Sequence, residues 1–137
     1  MKIEPAAPAG GRPSRVYTIT NFHDVPVQGV ADYMGRPHAY ERQFSYDDDE
    51  WTDLYWLREI GRDLLELAIE WDSIFWRWQK KWRLGQVSLD SYPVLPEDKP
   101  RYEELRHAIG DRLEPLPEES LTRRGRFHDG GVEWTMP

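Results

Sequence analysis

The chain has 137 residues, the size of one common domain, with a formal net charge of −7, 39% hydrophobic and 13% aromatic residues, and no cysteine. The absence of thiols excludes disulfides, cysteine nucleophiles and Cys-ligated metals, and the acidic balance argues against non-specific nucleic-acid binding. No apolar stretch approaches the roughly 20 residues that span a bilayer and no secretory h-region precedes Pro13, so the chain reads as cytoplasmic, membrane-free, and bacterial or viral in style.

Residues 1–14, dominated by Pro, Ala and Gly, read as a flexible leader. Arg15 to Phe22 is rich in β-branched and aromatic residues and is bounded by Pro13 and Asp24, which predicts a strand. From Gly29 to Ser45 the pattern predicts a hairpin turning at Met34-Gly35-Arg36-Pro37. Trp51 to Leu57 can be grafted onto the helical stripe that follows, but its density of β-formers favours a fourth strand, reached through the acidic turn Asp47–Glu50.

Six of the seven tryptophans (Trp51, Trp56, Trp71, Trp76, Trp78 and Trp82) fall in one stretch of the chain. Leu64, Ala68, Trp71, Phe75, Trp78 and Trp82 recur at helical spacing and predict a helix over about 60–84, with Gly85 just past its end. A second helix, about 98–113, starts at Asp98 as N-cap and carries Tyr102, Leu105, Ile109 and Leu113 on one stripe. After Pro117 only Val132, Trp134 and Met136 alternate as a short strand would. The domain expectation is a leader over 1–14, one domain over 15–114, and an extended, largely irregular tail over 115–137. The fold expectation is α+β: a small antiparallel sheet or partly open barrel, about 15–57, packed by the two helices.

Charge is unevenly placed. Ten acids between Asp47 and Asp72 face only Arg58 and Arg62, whereas Arg77, Lys80, Lys81 and Arg83 form a basic run. A second basic knot, Arg123-Arg124-Gly125-Arg126, precedes Phe127 and interleaves cations with a ring as single-strand binders do. It is too short to be specific.

Glu104 and His107 have the spacing of carboxylate-bridged di-metal helices, but the first helix offers Glu66 and Glu70 without a histidine, so no metal is assigned. Two Phe-His-Asp tripeptides, Phe22-His23-Asp24 and Phe127-His128-Asp129, read as turns, because no nucleophile elbow accompanies them. No phosphate-cradling glycine loop is present and no cofactor is implied. Asp72 lies at the edge of the apolar stripe, placed to accept an indole N–H, to meet a cation, or to stand half exposed.

The segments Gly29–Glu41, Leu67–Trp78 and Leu95–Leu105 together resemble a group of small bacterial proteins with no established activity. That resemblance covers roughly residues 15–113, implies a compact fold of this layout, and transfers no site.

The functional expectation is a small acidic protein-binding module, of inhibitor or immunity type, acting by contact on a protein with a basic surface. Its contact residues are expected to be Trp76, Trp51 and Tyr55, with Asp47, Asp48, Asp49 and Asp53 around them. Trp76 can equally pack beneath the second helix. One alternative is an enzyme whose pocket gathers His38, Glu41 and His107. Another is association with nucleic acid through the Arg-rich tail.

Overall fold

The computed structural model describes residues 13–137. The expected leader therefore lies outside the described residues up to position 12, and Ser14 already opens the first strand. The order of elements is β1 (Ser14–His23), β2 (Val25–Tyr33), β3 (Arg36–Ser45), β4 (Glu50–Glu59), α1 (Arg62–Arg83), α2 (Lys99–Ile109), β5 (Leu121–His128) and β6 (Gly131–Thr135). The chain is α+β and divides into two compact units, a β unit that ends at Gly61 and resumes at Leu113, and a helical unit over Arg62–Arg112.

The β unit is a closed antiparallel barrel in the order β1-β2-β3-β4-β5-β6. The expectation was a small antiparallel sheet or partly open barrel that stopped at about residue 57. The structure instead draws its last two strands from the segment expected to be irregular. β5 pairs with β4, setting Tyr55 opposite Arg123, and β6 pairs with β1 through Ser14–Val132 and Arg15–Gly131. The physical reason is edge pairing. Without them, β1 and β4 would each present a row of unpaired N–H and C=O groups. Two hairpins turn on two residues of positive φ, Met34-Gly35 (54° and 76°) and Asp129-Gly130 (47° and 77°), the backbone of the type I′ turn that matches strand twist.

The barrel interior is aromatic. Tyr40, Tyr55, Leu57, Val132 and Trp134 are buried together with Ala31, and Phe127 packs against them. Ring centroids lie 5.3 Å apart for Tyr40–Phe127 and 5.4 Å for Tyr55–Trp134. Each buried phenol has a partner, as such groups require: Tyr40 donates to the Thr18 carbonyl at 3.0 Å and Tyr55 to the Pro26 carbonyl at 2.6 Å.

In the helical unit, α1 and α2 run antiparallel. Glu70 meets Arg101 of α2, while Arg77 and Lys81 meet Asp98 and Glu97 in the turn that leads into α2. Asp98 precedes α2 as expected, but its carboxylate does not cap the helix. It takes a forked pair of bonds from Arg77, both 3.1 Å. Gly85, at φ 72°, ends α1, with Gln86 N–H bonded back to the Lys81 carbonyl at 2.9 Å, a Schellman-type stop. Among the described residues no helix is long and apolar enough to cross a membrane.

Candidate functional site: the acidic end of the barrel

Three turns share one end of the barrel: Asp24 between β1 and β2, the loop from Tyr46 to Asp49 between β3 and β4, and Asp129-Gly130 between β5 and β6. At the β3–β4 tip the rings form a platform. Phe44 stands 5.0 Å from Tyr46 and 5.2 Å from Trp51, and Trp51 lies 5.8 Å from His23. Arg42 fixes this arrangement. Its guanidinium sits 5.5 Å from the Trp51 ring and donates to the His23 carbonyl at 3.1 Å and the Thr52 carbonyl at 2.5 Å. Tyr46 is 87% exposed.

Around that platform the acids lack cationic partners. Among the described residues Asp24, Asp47, Asp48, Asp49, Glu50 and Asp129 make no ion pair; Asp48 meets only the Ser45 hydroxyl, at 3.1 Å. Four adjacent acids, Asp47 to Glu50, thus stand beside one exposed ring, Tyr46, and two half-buried ones, Phe44 and Trp51.

Beside the platform, the same barrel end opens into a cavity of about 250 Å³. Its walls are mostly apolar, with Ile19, Phe22, Pro26 and Phe127 among them, and Asp24, His128 and Asp129 are its titratable groups. The Phe-His-Asp tripeptides therefore end two strands that flank one cavity. Both Asp residues occupy left-handed turn positions, at φ 66° and 47°, which Asp adopts more readily than most residues. His128 is held by Glu133 at 2.9 Å.

Of the expected contact residues, the structure gathers Trp51 with Asp47, Asp48 and Asp49 at the hairpin tip. Tyr55 must be withdrawn. It lies four residues deeper along β4, within the closed interior, 1% exposed, and burial pushes its phenol up to about 12. Asp53 is exposed, but Arg124 neutralises it at 2.5 Å. Trp76 belongs to the helical unit, where it is 46% exposed and donates its indole N–H to Asp72 at 3.0 Å. Tyr46 was missed by the sequence reading, although an aromatic residue at the head of an acidic turn was the signal for it.

The residues named for other chemistry are placed as follows. His38 is buried and bonded through Nδ1 to the Arg36 carbonyl at 2.9 Å, while Glu41 accepts from Gln28 at 3.2 Å. His107 is exposed on α2, and neighbouring Glu104 is paired with Arg101. Arg123 turns to Tyr33, donating to its hydroxyl at 2.8 Å. Among the described residues no group of His, Asp and Glu could hold a metal ion.

No family model, curated protein or solved structure matches this chain.

Proposed function

We propose that this chain is a cytoplasmic protein-binding module, of inhibitor or immunity type, that docks a basic protein surface through the acidic end of its barrel. The observation that carries this reading is the pairing of an exposed ring, Tyr46, and a half-buried one, Trp51, with unneutralised acids. Tyr46 and Trp51 supply area that can be desolvated, and Asp47, Asp48, Asp49 and Glu50 supply the field that draws a basic partner in. Arg42, locked on Trp51 and two carbonyls, holds the platform in shape before binding, which lowers the ordering cost of association.

The nucleic-acid alternative is weakened because Arg123 and Arg124 are engaged with Tyr33 and Asp53. A second contact at Trp76 is favoured by its half-exposed ring, which Asp72 holds in place. Capture from the native host with the parent and with a Tyr46→Ala/Trp51→Ala variant tests the reading. A basic protein retained by the parent and lost by the variant, with the variant still folded by its amide spectrum, is the expected result. Equal retention by both would contradict the docking end. Loss on Trp76→Ala alone would move the contact to α1.

A further inference from the structure

We infer that the cavity at the acidic end of the barrel seats one long cationic side chain, Lys or Arg, of the basic partner. This rests on the docking reading above and names the chemistry of its anchor. Small-molecule sites usually enclose about 300–1,000 Å³. A cavity of about 250 Å³ suits a single side chain better than a cofactor.

Its wall chemistry is split in the way such a side chain is. Ile19, Phe22, Pro26 and Phe127 give an apolar wall, and Phe22, 61% exposed, leaves the mouth open. Asp24 and Asp129 stand at two of the turns that end the barrel, and neither makes a side-chain hydrogen bond or ion pair among the described residues. The methylene stem of Lys or Arg covers the rings while its charged head reaches the carboxylates. A Leu or Phe in the same place would fill the apolar wall but leave two carboxylates unpaired in a closing interface, a costly arrangement. An anionic side chain would be repelled by both.

The test needs no partner. The full-length protein, labelled with ¹⁵N, is titrated with n-butylammonium, n-butylguanidinium and 1-pentanol while amide shifts are followed. Both cations are expected to give saturable shifts confined to residues 19–26 and 127–131, with dissociation constants on the order of millimolar for so small a ligand. Asp24→Asn/Asp129→Asn, which keeps residues tolerant of the left-handed turn, should weaken binding about tenfold, the scale of a lost charge-assisted contact. The tighter of the two cations indicates whether Lys or Arg is preferred.

Equal binding of pentanol, no saturable shift with either cation, or cation shifts centred on residues 46–51 would each overturn the inference. Shifts at the cavity that follow protein concentration without any probe would assign it to a second copy of the chain, and would also overturn it. The outcome is separable from the docking reading. Cation binding here, with a partner still captured by the Tyr46→Ala/Trp51→Ala variant, would keep the cavity's ligand and remove the platform.

Discussion

Gly125 has no room for a side chain, because an added Cβ would lie 2.6 Å from the Trp134 ring and 2.8 Å from Tyr55. Within Arg123-Arg124-Gly125-Arg126 the glycine looks like part of a flexible basic tail, yet it is where two core rings pass closest to the backbone. Gly125→Ala should therefore destabilise the barrel by about 1–3 kcal/mol or more, as overpacking does, which chemical denaturation would measure. Asp72 gives a second prediction. Burial raises its carboxyl from 3.8 to about 6, while the indole N–H of Trp76 pulls the other way. The folded chain thus holds a proton there up to about pH 6, whereas the unfolded chain releases it near the ordinary carboxylate value of about 4. Stability contributed by this group is present below that window and falls as pH rises through it. Asp72→Asn should be neutral near pH 4 and should stabilise by about 1 kcal/mol near pH 7, a figure reduced for the water that still reaches the carboxylate. Melting both proteins across that range checks the sign.

At the scale of elements, what periodicity could carry was legible and what depended on pairing was not. β1, the β2–β3 hairpin, β4, α1 and α2 all stand within a few residues of their expected bounds, because β-branched and aromatic runs and a long helical stripe are local signals. β5 gave no such signal. Its sequence, Leu121 to His128, holds three arginines, and it forms a strand because β4 offers it an edge and Tyr33 takes Arg123. The stripe on α1 also proved heterogeneous. Trp78 is buried at 3% and donates to the Ser91 hydroxyl at 2.8 Å, while Trp82 stacks nearly parallel on it, 5.9 Å away, yet is 42% exposed. Trp78→Ala should cost about 3–5 kcal/mol, as loss of a buried large ring does, and Trp82→Ala much less. Equal losses in thermal melts would mean that exposure does not rank these rings.

At the scale of the whole molecule, closure of the barrel both completes the fold and builds the candidate site. Trp134 and Val132 fill the interior, and the Asp129-Gly130 turn brings the second Phe-His-Asp tripeptide beside the first. A chain ending at Ser120 should not fold its β unit, since β1 and β4 would lose their partners and the core two of its buried members. A native-like amide spectrum from that truncation would contradict this. Only part of the candidate surface was legible from residues alone. Trp51 and Asp47–Asp49 were recognisable as rings beside acids. The burial of Tyr55, the Asp53–Arg124 pair and the cavity shared by Asp24 and Asp129 depend on which turns meet at one end, which only the closed register fixes. We propose that this acidic end docks a basic partner by contact. It is tested most directly by the association rate of the captured partner with the parent and with Asp47→Asn/Asp48→Asn/Asp49→Asn, at low and high salt. The account predicts association at least about tenfold slower for the variant at low salt, with the difference closing at high salt. Identical rates at low salt would contradict it.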